Sequence, residues 1–350
     1  MRKAKAIALI SGGLDSTLAL ALMQRLGAEI KAVNFYTGLC ITETQRRKGG
    51  RPDGTVPQNE ALRAAADREV DIEYVDISGH AYLDMLVHPR YGYGQNANPC
   101  VDCRIFMMRK AREIMEREGA DLVFTGEVLG QRPKSQRRDT LWVIERESGL
   151  QGRLLRPLSA KLLPPTRAEQ EGLLDREQLL DISGRSRLRQ MALAKEWGVT
   201  GWPQPAGGCC YLTDESFGRK FFDLLDGREA LGRERRLAQE DVVLLSTGRH
   251  FRLSPRAKLI VGRTEVENAL LEHYVEGRAR LAARDVNGPV ALVEGEPTWE
   301  ERVLAARIVA RYGQGRAAPA VAVEWREGEL VECYEVPPES DEARIEALRI

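Results

Sequence analysis

Two groups of residues in this sequence have the types and spacing to do chemistry. Ser11, Gly12, Gly13, Leu14, Asp15, Ser16 and Thr17 follow the apolar run KAIALI, while Cys100 and Cys103 in NPCVDCR are joined much later by adjacent Cys209 and Cys210 in GGCCYLTD. A glycine-rich turn between a strand and a helix presents unpaired N–H groups and the positive end of the helix dipole, which together bind phosphate. Gly12 and Gly13 let the backbone approach closely, and Ser11, Ser16 and Thr17 can add hydroxyl donors. Neither GxxxxGK[ST] nor GxGxxG is present. The charged residue of the run is Asp15, whose carboxylate suits a magnesium ion that bridges phosphates.

Residue type alone leaves the thiols three readings. They could form a zinc site, although adjacent Cys209 and Cys210 fit the usual knuckle spacing poorly. They could be a redox pair, which would sit in a thioredoxin-like unit, or the thiolate ligands of an iron–sulfur cluster. Cys40 and Cys333 stand alone and read as small buried residues. His80, His88, His250 and His273 are scattered without an HxxxH or triad context, so they read as surface or packing residues and no hydrolase constellation emerges.

These residues must be positioned by the elements around them. KAIALI (5–10) reads as a strand, STLALALMQRLG (16–27) as a helix stopped by Gly27, and EIKAVNFY (29–36) as a second strand. A right-handed crossover makes the two strands parallel in an α/β sheet. Residues 38–58 are polar and basic and rich in Gly and Pro, a loop; 59–70 reads as helix, 72–78 as strand, 106–119 as helix and 121–127 as strand. Residues 176–198 read as helical around a break at Gly184, and 201–212 as a loop rich in Pro, Gly and Cys. Composition shifts after about residue 225, which divides the chain into an α/β domain over 1–225, a helical connector over 226–244 and a smaller α+β domain over 245–350.

The 350 residues carry 52 basic and 52 acidic side chains, so the neutral balance hides local clusters. Arg46, Arg47, Lys48 and Arg51 form one, Arg132, Lys134, Arg137 and Arg138 a second, and Arg233, Arg235 and Arg236 a third. One such cluster is usually a solvated face; several make a polyanionic partner worth testing. Gly12, Gly13 and Asp15 cut short the first apolar run, so it reads as a buried strand and not a signal peptide, and no segment is apolar for long enough to span a membrane. A soluble, cytoplasmic protein with reduced cysteines is expected.

SGGLDS resembles the SGGxDS signature of the PP-loop ATP pyrophosphatases, which include GMP synthetase, asparagine synthetase and the tRNA 2-thiouridine and 4-thiouridine synthases. The resemblance implies a parallel-sheet domain of the adenine nucleotide alpha hydrolase type, which cleaves ATP between the α and β phosphates, transfers AMP to a substrate oxygen and releases pyrophosphate. It implies ATP and Mg²⁺ as cofactors, with Ser11, Gly12, Gly13, Asp15 and Ser16 holding the pyrophosphate and Asp15 contacting the metal. Thr17 and Gly126 join the expected ATP site.

Among tRNA-thiolating members of that family, one group carries a CxxC and one distant cysteine that bind a [4Fe–4S] cluster. The resemblance makes Cys100, Cys103 and Cys209 the catalytic thiols and the metal ligands, with Cys210 as the alternative to Cys209. Three ligands would leave one iron open for sulfide. A second group uses a persulfide and a resolving cysteine, but has an aspartate where Cys100 stands. The segment TGEVLGQRPKSQ (125–136) resembles the TG-initiated stretch that lines nucleotide or uridine in these enzymes, and brings Gly126, Glu127, Gln131, Arg132 and Lys134 to the site. LLRPLSAKLL (154–163) resembles the RPL segment of 4-thiouridine synthases more weakly.

Near the carboxyl terminus, AKLIVGRTEVENALL (257–271) resembles the opening of the NFACT RNA-binding domain. Arg249, Arg252, Arg256, Lys258 and Arg263 would face phosphates, with Phe251 and Tyr274 as stacking partners. A packing or homodimerisation domain is the competing reading. Taken together, the resemblances imply an ATP-dependent tRNA sulfurtransferase whose partners are tRNA and a sulfur donor. A PP-loop amide ligase and a non-catalytic RNA-binding protein that senses ATP are the alternatives. Which uridine and which ring atom react is left open.

Overall fold

The protein, represented by a computed structural model, is described over residues 2–41, 43–44, 59–202 and 210–350. It divides into two compact units, one built on the chain before Cys210 and the other on Cys210–Ile350 together with Gln95–Ala97. Cys209 and the basic cluster Arg46, Arg47, Lys48 and Arg51 lie outside the described residues.

The first unit runs β1 (Lys5–Leu9), α1 (Leu14–Arg25), β2 (Glu29–Tyr36), α2 (Glu60–Ala66), β3 (Ile72–Asp76), α3 (His80–Val87), α4 (Cys100–Arg117), β4 (Leu122–Thr125), α5 (Arg138–Ser148), β5 (Leu154–Leu155), α6 (Arg167–Gln170) and α7 (Leu188–Glu196). Its sheet has the order β3-β2-β1-β4-β5, and every pairing is parallel. The unbroken apolar run of β1 follows from burial on both faces. Successive side chains of a strand point to opposite faces. Ala6 and Ala8 accordingly enter one core with Leu18 and Leu22 of α1, while Ile7 enters another with Ile105 and Met108 of α4 and Ile144 of α5. Strand order reverses beside β1, between β2 and β4. Open α/β sheets bind ligands outside the carboxyl ends of strands at such a switch point.

The second unit contains α8 (Glu215–Ala230), α9 (Gln239–Leu245), β6 (Arg249–Ser254), β7 (Ala257–Val261), α10 (Glu265–Glu272), β8 (Ala279–Ala283), β9 (Ala291–Gly295), α11 (Trp299–Arg311), β10 (Val321–Glu327), β11 (Leu330–Val336) and α12 (Glu342–Leu348). Its sheet has the order β11-β10-β8-β9-β7-β6 with antiparallel pairing. Leu259 and Val261 of β7 pack with Leu304, Ile308 and Val309 of α11, while Ile260 faces the opposite cluster with Leu244 and Leu271. Alternation along β7 therefore seats helices on both faces. Thr298 and Glu301 close a capping box at the start of α11.

The α/β class and the following α+β unit match the expectation. The helix expected over 106–119 begins six residues earlier, at Cys100, so the CxxC occupies its first turn instead of preceding it. Helix α8 spans residue 225, where composition alone had set the first boundary, and residues 231–238 between α8 and α9 are not helical.

Candidate active site

The loop after β1 is shaped by two glycines that no other residue could replace. Gly12 has φ of 75°, and a Cβ there would lie 2.2 Å from the Glu60 carbonyl carbon at the start of α2. At Gly126, just past β4, a Cβ would stand 2.4 Å from the Ser16 nitrogen and 2.5 Å from the Asp15 carbonyl carbon. The first turn of α1 thus meets the carboxyl end of β4 backbone against backbone. Gly13 is the N-cap of α1 and no side chain caps this end, so its leading N–H groups are available to an anion. Ser16 and Thr17 are buried, and both hydroxyls donate to the Gly13 carbonyl at 2.9 and 3.0 Å. They brace the loop, while Ser11 is exposed, its Oγ 3.3 Å from that of Ser16.

Asp15 is held from two sides. Its Oδ2 accepts from Gln131 Nε2 at 2.7 Å and lies 3.5 Å from the Arg187 guanidinium. Its Oδ1 is buried with no hydrogen-bond partner among the described residues. A buried carboxylate oxygen left bare is costly unless something else takes its lone pairs. Arg187 Nε and Gln190 Oε1 are likewise buried and unpartnered, and Gln190 Nε2 donates to Gln131 at 3.3 Å. A bridge between Leu129 and Ser183 ties the loop after β4 to the turn before α7, which brings Gln131 and Arg187 to the same carboxylate. Arg187 and Gln190 were not among the sequence candidates. An arginine at the N-cap of a helix opposes the helix dipole, and that mismatch was the available signal.

Cys100 and Cys103 stand one turn apart at the start of α4, which no side chain caps. The Cys100 thiol donates to Asn98 Oδ1 at 2.9 Å, and Cys103 Sγ lies 3.3 Å from the Tyr82 hydroxyl. Burial pushes the Cys103 thiol pKa up, against the smaller opposing effects of Tyr82 and Arg104. Between them, Asp102 accepts from the backbone N–H groups of Arg90 and Tyr91 at 2.9 and 3.1 Å and anchors the preceding segment. Among the described residues no group of three or more His, Cys, Asp or Glu is arranged to hold a metal ion. Cys210 lies in the second unit, its carbonyl accepting from the Thr213 hydroxyl at 2.7 Å.

Glu127 and Arg156 form a buried ionic centre between the TG and RPL segments. Arg156 Nε donates to Glu127 at 3.2 Å, its other branch meets Glu145, and Arg104, the residue after Cys103, lies 3.5 Å from Glu127. Arg156 and Glu127 are 1% and 4% exposed. Removing one member of such a pair leaves an uncompensated buried charge. Arg156→Met is therefore expected to destabilise the protein by about 3–5 kcal/mol, read as a lowered urea midpoint at unchanged m-value.

The basic candidates separate by burial. Arg132 is exposed, whereas Lys134 is half-buried and donates to the Gly92 carbonyl at 3.3 Å. Arg249 is half-buried over the Tyr312 ring at 4.6 Å, and the exposed Arg263 pairs with Glu267 at 2.6 Å. Lys258 must be withdrawn as an RNA contact: it is 2% exposed, its ammonium 3.0 Å from Asp223. Its lysine stem fills a strand position at the α8 interface, so the charge is spent inside the fold. Arg252 also pairs with Asp223, at 2.6 Å, and Phe251 is buried and cannot stack on a base. Tyr274 is half-buried against the Ile260 cluster. His250 is a packing residue, donor or acceptor to the carbonyls of Leu244 and Thr247, but Cys333 is exposed where a buried position was expected.

A parallel sheet with an uncapped, lysine-free glycine-rich loop at its switch point, carrying an aspartate oxygen with no partner among the described residues, is a PP-loop-like α/β fold. Residues 2–161 match the family model described as thiamine biosynthesis protein (ThiI), and residues 248–347 match that of the NFACT protein RNA binding domain. A segment similar to ThiI is thus followed by one similar to the NFACT RNA-binding domain, and each match spans less than half of the chain. It is 26% identical over 190 residues to a probable tRNA sulfurtransferase of Thermococcus kodakarensis, covering 51% of this chain and 40% of the relative. To the tRNA-specific 2-thiouridylase MnmA of Syntrophotalea carbinolica it is 31% identical over 121 residues, covering 33% of this chain and 32% of the relative. The matches thus span well under half of either relative's length. A solved 4-thiouridine synthetase–RNA complex with bound ATP aligns with 56% of this chain and 52% of its own at 20% identity and a TM-score of 0.33. Among the described residues no helix is long and apolar enough to cross a membrane.

Proposed function

We propose that the protein is an ATP-dependent tRNA sulfurtransferase that converts a uridine carbonyl to a thiocarbonyl. The observation that carries the reading is the lysine-free loop whose Asp15 Oδ1 is buried and unpartnered, in the same unit as paired thiols at the uncapped start of α4. The two named relatives act on tRNA by thiolation, which supports sulfur as the nucleophile.

In the first step the uridine oxygen attacks the α phosphorus of ATP, the bond to the bridging oxygen breaks, and pyrophosphate leaves. The N–H groups at the start of α1 receive the departing β and γ phosphates, and Arg187 supplies a cation beside them. Asp15 Oδ1, a hard oxygen donor with no partner among the described residues, would hold a Mg²⁺, which would supply positive charge to the departing pyrophosphate. In the second step a sulfide-level nucleophile adds to the activated carbon, and AMP departs with the former carbonyl oxygen. Adenylation is needed because an oxide is a very poor leaving group and AMP a good one.

Cys100 and Cys103, one helical turn apart, fit two ligand positions of a [4Fe–4S] cluster, with Cys209 proposed as the third. Such a cluster would supply an iron able to bind sulfide. Burial of Cys103 disfavours its free thiolate, and coordination to iron would remove that penalty. The test is anaerobic incubation of the cluster-reconstituted protein with unmodified tRNA, ATP, Mg²⁺ and sulfide, followed by nucleoside mass analysis. Thiouridine and AMP formed in equal amounts are expected; AMP without thiouridine would refute sulfur transfer.

A further inference from the structure

At one end of the second unit's sheet, positive charge accumulates with only partial compensation, from Glu267 and Asp214. The register pairs Arg249 at the start of β6 with Val261 at the end of β7, and Arg263 follows two residues on. From α8, the half-buried Lys220 reaches this rim and donates to the Gly248 carbonyl at 3.3 Å. A Cβ at Gly248 would stand 2.5 Å from the Val261 carbonyl oxygen, so the two strand ends are in direct contact there. Arg249 and Arg263 repel one another, and the exposed Arg349 adds to the same field. Glu267 neutralises Arg263 through contacts at 2.6 and 3.0 Å. Among the described residues no carboxylate lies within ion-pairing distance of Lys220 or Arg249.

Half-burying an ammonium beside other cations costs free energy, and an anion from outside the chain would repay it. We infer that Lys220, Arg249 and Arg263 form a phosphodiester-binding rim for RNA, with Lys220 contributed by α8, outside residues 248–347 that match the RNA-binding domain. The inference rests on the reading of this protein as one that acts on tRNA. Burial, then the charges on Arg263 and Lys258, lower the Lys220 pKa to about 8, with Glu267 and Asp214 opposing. The grip on a phosphate should therefore be full below pH 8 and weaken as pH rises through it.

The test uses the full chain and an unmodified tRNA transcript, with binding measured from about 50 to 200 mM salt and on either side of pH 8. Lys220→Met is expected to weaken binding roughly three- to tenfold and to reduce the slope of log affinity against log salt by about one. Lys220→Arg should retain the affinity and lose the pH dependence, since a guanidinium stays charged. Wild-type affinity and slope in Lys220→Met would overturn the proposal alone, as would an equal loss in Lys220→Arg. Absence of RNA binding by the wild-type protein would overturn both this proposal and the tRNA reading beneath it.

Discussion

Asp15→Asn is expected to lower ATP-dependent pyrophosphate release by about 10³-fold or more. The carboxylate has two jobs that the amide cannot share. Its Oδ2 holds Gln131 and Arg187, and its Oδ1 is the buried oxygen left for a cation. The amide keeps the shape and one acceptor, but it removes the negative charge and presents N–H groups to the metal or to Arg187. Loss of the Arg187 pairing costs about 1–3 kcal/mol of stability, too little to unfold a protein of this size, so circular dichroism and the thermal midpoint separate a folded, inactive variant from a misfolded one. Raising Mg²⁺ should recover little of the rate. A variant that retained wild-type pyrophosphate release would remove Asp15 from the metal site.

Cys100→Ser and Cys103→Ser are expected to lower thiouridine formation by about 10³-fold or more while tRNA-dependent pyrophosphate release persists. The separation follows from the two steps: the phosphate loop lies at β1 and α1, whereas the thiols belong to the start of α4. Iron and acid-labile sulfide, measured on protein reconstituted anaerobically, should be present in the wild type and depleted in both variants. Absence of iron in the wild type would sink the cluster and favour a persulfide. The pH profile gives a second discrimination. Burial raises the Cys103 pKa above that of an ordinary thiol, so its free thiolate fraction grows as pH rises through the raised value. A persulfide route through Cys103 would still be accelerating in alkaline solution, whereas iron-bound thiolates would give a flat profile. Full turnover in a Cys100→Ala variant would instead favour a nitrogen nucleophile.

Some elements were legible because their signals are local. The apolar run of β1, the helix of residues 14–25 with Gly27 after it, and the strand over 29–36 follow from patterns that neighbouring residues impose on one another. The start of α4 was misplaced because proline and paired cysteines resemble a loop, and helix formation there depends on burial of Val101, Asp102 and Ile105. Strands β8 and β11 passed unread: ARLAA is too short to carry a period, and LVECYEV lies at a sheet edge with Glu332 and Glu335 on opposite faces, so no polar–apolar alternation shows. Lys258 was misread because a lysine in a strand looks solvent-facing until the α8 carboxylate that receives it is known.

By itself, the sequence determined the α/β order of the first unit and the phosphate loop that belongs between its first strand and helix, because periodicity and glycine spacing are properties of adjacent residues. It also determined which thiols lie three residues apart, while the structure decided that the pair occupies the first turn of α4. Tertiary structure alone decided what surrounds Asp15. Gln131 and Arg187 stand 116 and 172 residues from it along the chain and meet it only where the loop after β4 joins the turn before α7. Tertiary structure also decided which cations reach solvent, since a side chain's charge is written in the sequence but its neutralising partner arrives from another element, as Asp223 does for Lys258 and none does for Lys220 among the described residues.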